Sequence, residues 1–418
     1  MRKTSIWFLT PSLLLLTSLL HAATDHAGHG NHPIKPSLCN DPEAPASLEC
    51  ALAPSAAFDT EGNLWVAWTL GGHVYLSRSE DKGESFGTPY PVNRAPERVA
   101  ADGENRPKIV IGTEGRIFVS WTKRLPKPYS GDVRFAYSIN QGHSFAEPIT
   151  VNDNRDITSH RFESMALNDR GELFLAWLDK RDQVAQAEVG GKYRGAALYY
   201  SVSMDGGRSF QANRKIADHT CECCRTAMAM DPAGNPVIVW RHIFEGDIRD
   251  HAIARLPGFE PGNVQRLSFD QWKIDACPHH GPAIDIGFDG TYHAVWFNNA
   301  PDRHGLFYAR SEANGATFSK PINFGRYDAG AAHPDVLSLN ERVYLTWKEF
   351  DGRQTQALVM HSMDRGKTWS QPSVTATTDG ASDHPFLISD GRQVYVVWHR
   401  RGLPYRPIPV SMVQTDGH

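Results

Sequence analysis

The chain has 418 residues, a net charge of −4 and 40% hydrophobic residues. That length allows two or three ordinary domains or one repeat architecture, and a slightly acidic chain without long basic runs gives no reason to expect a nucleic-acid partner. Glycine and proline are plentiful, at 35 and 27, which suits many short elements joined by turns.

The first segment reads as an address. Arg2 and Lys3 precede an apolar stretch over 6–20, and the small residues Ala22 and Ala23 follow. This is the pattern of a secretory signal peptide over 1–23. No cysteine sits just after the expected cut, so no lipid anchor is indicated, and no other apolar run is long enough to span a membrane. A periplasmic or secreted location follows, and with it an oxidising compartment. Residues 24–47 comprise a low-complexity tail over 24–32, read as disordered, with His26, His29 and His32, and a segment expected to close the ring described below. Cys39 and Cys50 are close in sequence and are expected to form a disulfide.

From residue 48 to the end the chain repeats. Short apolar segments ending in tryptophan recur at 64–68, 117–121, 173–177, 237–240, 293–296, 343–347 and 394–398. A short strand precedes each, and a third and a fourth follow. Four short strands per unit, seven times over, predict a β-propeller. The last unit has only three strands, so a segment before Cys50 is expected to supply the fourth. The seven tryptophan strands are expected to form core between blades.

Five units also share an eight-residue motif, at 79–86, 138–145, 203–210, 311–318 and 362–369, of the form S-x-D-x-G-x-x-[FW]. Its Asp or Asn accepts backbone N–H bonds, its Gly takes a dihedral that other residues avoid, and its aromatic packs the turn back onto its sheet. The motif resembles the Asp-box, or BNR repeat, of sialidase-like β-propellers. That resemblance implies an all-β propeller over 48–418. The seven tryptophan strands argue for seven blades, where the sialidases of this type have six, so a six-bladed ring with one irregular unit is the alternative.

When the units are aligned on their tryptophans, one ring of positions stands out. It holds Glu104 to Pro107, His160 to Glu163, Cys223 to Thr226, His279 to Pro282, Ala332 to Asp335 and Asp383 to Pro385, each leading into a first strand. His or Cys recurs in five of the seven units. Imidazole and thiolate together are ligands for copper and zinc, and a cysteine-rich set favours copper(I) or zinc. The candidate ligands are Cys221, Cys223, Cys224, Cys277, His279, His280, His160, His333 and His384, with copper ahead of zinc, and the tail histidines are a weak capture site. A disulfide from Cys221 or Cys223 to Cys277 is the structural alternative. Arg161 and Arg225, beside this ring, are suited to an anionic small molecule.

The resemblance also implies a second chemistry. Sialidases clamp a carboxylate with three arginines and use an Asp acid and a Glu-activated Tyr nucleophile. Family members carry Phe-Arg-Ile-Pro at the first arginine, whereas here Pro107 directly follows Arg106. The candidates for such roles are Arg106, Arg161, Arg225, Arg353 and Arg400 as clamps, Glu163 as base and Tyr405 as nucleophile. A third expectation is a recognition module for a glycan or a periplasmic protein, using the long polar loop over 178–194.

Overall fold

The computed structural model describes residue 39 and residues 45–411. The signal segment and the histidine-containing tail lie outside the described residues. Among those described, no helix is long and apolar enough to cross a membrane. The propeller lies in a compact unit over Glu43–His418.

Seven antiparallel sheets follow one another along the chain, over 52–91, 108–150, 160–220, 227–266, 283–324, 332–378 and 386–409, here blades 1 to 7. In each, neighbouring strands are consecutive in sequence, and the first strand lies innermost. The first strands are Leu52–Phe58, Lys108–Ile111, His160–Leu167, Ala227–Met230, Ala283–Ile286, Ala332–Leu339 and Phe386–Ser389. Residues from all seven line a central channel of about 280 Å³. The ring is therefore seven-bladed, and the six-bladed alternative is excluded.

The second strands explain why periodicity alone reads them as near-continuous apolar runs. Leu173–Asp179 is buried at every position, because a middle strand is covered by the adjacent blade on each face. Seven buried apolar clusters result, one at each blade–blade interface. Trp68, Trp121, Trp177, Trp240, Trp296, Trp347 and Trp398 are all fully buried. Each indole N–H is satisfied, for example Trp177 by Asp179 at 2.9 Å and Trp347 by Glu349 at 2.8 Å, as a buried donor requires.

The repeated eight-residue motif forms the turn that its sequence predicts. In blade 6, Ser362 donates to Asp364 at 2.7 Å, and Asp364 accepts the Thr368 amide at 2.8 Å and its hydroxyl at 2.7 Å. The Gly366 amide donates to Ser362 Oγ at 2.8 Å. The aromatic, however, does not pack back onto its own sheet. Phe210 of blade 3 meets Phe135 of blade 2 edge-on at 5.0 Å, and Trp369 of blade 6 meets Tyr308 of blade 5 at 4.8 Å. The turns clip each blade to the one before it, because the overhang at a blade corner faces the neighbour's apolar side. Gly207 shows how tightly: it adopts φ +86°, and a Cβ there would lie 2.8 Å from the Phe135 ring. Gly207→Ala is expected to destabilise the protein by about 2 kcal/mol or more, through backbone strain and overpacking together. A thermal melt of the variant checks this.

Among the described residues, 45–49 just before Cys50 add no strand to blade 7, and the rest of the segment expected to close the ring lies outside the described residues. Ser47 accepts the Glu49 amide at 3.3 Å and starts a 3₁₀ turn, Leu48–Cys50, while Ala46 and Leu48 pack into the apolar cluster between blades 7 and 1. Closure rests on that cluster and on Lys82, which pairs with Asp390 at 2.7 Å across the seam. The loop over 178–194, read as irregular, contains an α-helix, Arg181–Glu188. Cys39 and Cys50 are both disulfide-bonded, as expected.

Candidate metal centre

The loops leading into the first strands meet at one mouth of the channel, around an open cavity of about 710 Å³. Its lining includes Glu104, Arg161, Cys223, Cys277, His279, His280, His333 and His384. Arg161, Cys223, Cys277, His279, His280, His333 and His384, singled out in sequence as candidate site residues, thus share one space.

The cysteines form its densest part. Cys221, Cys223 and Cys224 are buried at 1, 5 and 2% exposure, and their sulfurs lie within 4.8 Å of one another. The Cys221 Sγ is 3.8 Å from that of Cys223 and 3.9 Å from that of Cys224. All four cysteines of the mouth are free. A tight reversal between the last strand of blade 3, Arg214–Thr220, and the first of blade 4 brings the three together. The Cys221 amide anchors it by donating to Arg241 O at 2.9 Å. Cys223 also lies within 4.8 Å of Cys277 Sγ and a His279 ring nitrogen, both from the loop into blade 5. It is thus common to two groups of three donors.

Electrostatics single out Cys221. Cys223 and Cys224 point their thiols at it, and the Arg241 and Arg249 guanidiniums add to their effect against burial, so its thiol is held well below the usual range. Arg249 donates to Cys221 Sγ at 3.4 Å. The proton lost by Cys221 is retained by its neighbours: the contact with Cys221 pushes Cys223 up, and burial pushes Cys224 up. A lowered thiol is the readier donor to a soft cation.

The histidines divide. His333 and His384, at matching positions of blades 6 and 7, stack with ring centroids 3.3 Å apart. His280 stacks on His333 at 4.5 Å and on Phe297 at 4.0 Å. Burial and the neighbouring His333 lower His280 to about 2, and burial lowers His333 to about 4. Both rings are neutral at physiological pH. His333 and His384 group with Glu104 and not with the cysteines. His160 is turned away. Its Nδ1 bonds Gly131 O at 3.0 Å and its Nε2 bonds Asn154 at 3.1 Å, because alternation along the strand sends His160 and Arg161 to opposite faces.

Of the residues weighed for a sialidase-like site, only Arg161 lines this cavity. Arg225 is clamped to Glu104 at 2.7 Å, and Arg106 donates to Pro54 O at 3.0 Å and His384 O at 3.1 Å and pairs with Asp383. Glu163 is buried and accepts from Thr122 at 2.8 Å. Tyr405 is buried in the cluster between blades 7 and 1. Arg353 lines a separate surface hollow, and Arg400 donates to Thr377 O at 3.3 Å.

Sequence reasoning missed Glu104 as a member of the site. Burial would raise its carboxyl, but Arg225 and His333 hold it well below the usual carboxylate range. It also accepts the backbone N–H groups of Arg225 at 2.9 Å and Gly281 at 3.2 Å, tying blade 2 to blades 4 and 5. Its place in the same ring of positions was the available signal.

Deeper in the channel, Asp285 accepts the Ser338 amide from blade 6 at 2.6 Å. Burial pushes its carboxyl up to about 6. A raised carboxyl contributes stability that is present below the unfolded value and lost as pH rises through about 6. Asp285→Asn is therefore expected to stabilise the protein by up to about 3 kcal/mol at pH 7.5 and by little at pH 4, as measured by denaturant unfolding at the two pH values.

No family model and no curated protein matches the chain. Solved structures do resemble it. One is a protein of unknown function from Dyadobacter fermentans, at 14% identity and a TM-score of 0.52, covering 76% of this chain and 96% of that one. Another is a polysaccharide lyase of family PL25, an ulvan lyase, bound to a GlcA–Rha3S polymer, at 12% identity and a TM-score of 0.52, covering 87% and 96%. A Hadza microbial sialidase, Hz136, aligns at 12% identity and a TM-score of 0.49, covering 84% and 76%. At these identities the likeness of the first two shows the fold alone.

Proposed function

We propose that this chain is a secreted or periplasmic, Asp-box-type propeller that binds a soft metal ion, copper(I) ahead of zinc, at the channel mouth. Its work is then metal handling or metal-dependent redox chemistry. One observation carries the reading: Cys221, Cys223 and Cys224 are free, buried and mutually within 4.8 Å. Thiolates at such spacing suit copper(I) or zinc, and Cys277 and His279 extend the donor set towards the open cavity. In all five turns the Gly amide donates to the Ser hydroxyl, and in four of them that Ser bonds an Asp or Asn, which supports the Asp-box assignment. Elemental analysis of protein purified without chelator, paired with a free-thiol count, tests the metal reading. Near-stoichiometric copper or zinc with four free thiols is the expected result. Metal-free protein with these cysteines oxidised would sink it.

The glycan-acting reading draws on the fold and on a cavity large enough for a sugar. It has less support at the site, because the guanidiniums of Arg106 and Arg225 are already paired. A panel of fluorogenic glycosides, sialosides included, separates it from the metal reading. A recognition propeller predicts neither metal nor turnover, and instead a glycan or protein partner.

A further inference from the structure

The donors at the mouth fall into two groups of different chemistry, and the second has no cysteine. We propose that Glu104, His333 and His384 form a separate site for a borderline divalent cation, zinc or copper(II), open to the same cavity as the thiolates. The proposal goes beyond the soft-metal reading and stands without it.

Geometry comes first. One ligand atom from each of the three residues lies within 4.8 Å of the other two. His333 Nδ1 and His384 Nδ1 approach the same oxygen, Glu104 Oε1, from 3.4 and 3.6 Å. Neither nitrogen makes a hydrogen bond, although both are buried. Buried polar atoms are almost always paired. Two unpaired nitrogens converging on one carboxylate oxygen therefore call for something between them. A cation shared by the three donors meets that need once the stacked, nearly parallel His333 and His384 rings, 3.3 Å apart, turn to bring their in-plane lone pairs onto it.

The backbone points the same way. His333 sits at a β-bulge between Ala332 and Asp335 and holds φ +54°. Bulges re-aim side chains, and a non-glycine residue in this region carries strain that persists where the surroundings impose it. Opposite, Gly103 leaves the room His384 occupies: a Cβ at Gly103 would fall within 2.8 Å of three ring atoms of His384. The pair is seated deliberately on both sides.

Charge does not forbid the ion. Of the nearby cations, Arg225 is paired with Glu104 and Arg106 with Asp383, and Lys348 donates to Asp383 O at 3.3 Å. Two imidazoles and one carboxylate with an open side form the donor set of a catalytic zinc centre, not of a closed structural one. The open side faces the 710 Å³ cavity, so a bound small molecule could take the free coordination position.

The test uses the full-length chain carrying Cys223→Ser, to disable the thiolate group, and His26, His29 and His32→Ala, to remove competing tail imidazoles. One equivalent of copper(II) is added, and its electron paramagnetic resonance is recorded after desalting. The proposal expects a retained signal with splitting from two nitrogens. His384→Ala or His333→Gln in that background is expected to weaken copper(II) and zinc binding by more than about 100-fold, given that second-shell changes alone cost 10- to 100-fold. No retained copper, or the same two-nitrogen signal after either substitution with the fold intact by circular dichroism, would overturn it. Soft metal held by an otherwise native His384→Ala protein reports on the thiolate site separately, so the two readings can fail independently.

Discussion

Replacing Cys223 with serine is expected to abolish stoichiometric soft-metal binding while leaving the propeller folded. Cys223 belongs to both the Cys221–Cys224 group and the group with Cys277 and His279, so its loss breaks two donor sets at once. It is also the member of the buried triad that lines the cavity, where an incoming ion is first met. A hydroxyl is a poor ligand for a soft cation, and the change in volume is small. The expected outcome is a fall in affinity for copper(I) of more than about 100-fold, larger than a lost supporting contact gives, with a melting temperature close to that of the metal-free parent. Cys277→Ser, at an exposed position, is expected to fall between the two. Competition with a chromophoric copper(I) chelator measures all three proteins. Equal affinity in the parent and Cys223→Ser would remove the thiolates from the site.

Arg225→Met is expected to be the most destabilising single change at the mouth. Arg225 and Glu104 pair at 2.7 Å with side chains 18% and 5% exposed, and removing one partner strands a buried charge. Such losses run to about 3–5 kcal/mol. The sign with pH is diagnostic. In the parent, Glu104 is held below its ordinary value, so its contribution is present above the unfolded carboxylate range and is lost as pH falls through the depressed value. Without Arg225, burial dominates and the carboxyl is raised, so the penalty is full at neutral pH and fades as acid protonates Glu104. Denaturant unfolding at pH 7.5 and pH 4.5 should show a deficit that shrinks at the lower value. The double variant Arg225→Met with Glu104→Gln should recover part of it at neutral pH. A deficit independent of pH would mean that packing, not charge, is what Arg225 provides.

Much of the ring was legible in the chain itself. The seven tryptophan-ending strands report blade number because each blade must bury one middle strand against both neighbours, and that need recurs at a fixed spacing. The serine, aspartate and glycine of the repeated turn are equally local: Ser362, Asp364 and Gly366 satisfy one another within five residues. The position of the candidate mouth followed from the same alignment, because residues at one point of each repeat must come to one level of the ring.

What the repeat could not convey was direction and partnership. His160 and Arg161 are neighbours in sequence, yet one is bonded inside the blade 2–3 interface and the other faces the cavity. The turn that folds Cys221 onto Cys223 and Cys224 lies between repeats, where spacing carries no signal, and the bulge at His333 changes which way a side chain points without changing the spacing. Glu104 became part of the site only when blade 2 met blades 4, 6 and 7 across the axis. By itself, then, the sequence determined the propeller architecture and which candidate residues share one level of the ring, with seven blades favoured over six, since those depend on local turns and on burial that recurs with the repeat. The tertiary structure alone decided that the candidate ligands divide into a group built on the thiolates and a histidine–carboxylate group, with His160 and His280 in neither, because those groupings depend on how side chains from different blades and loops come together.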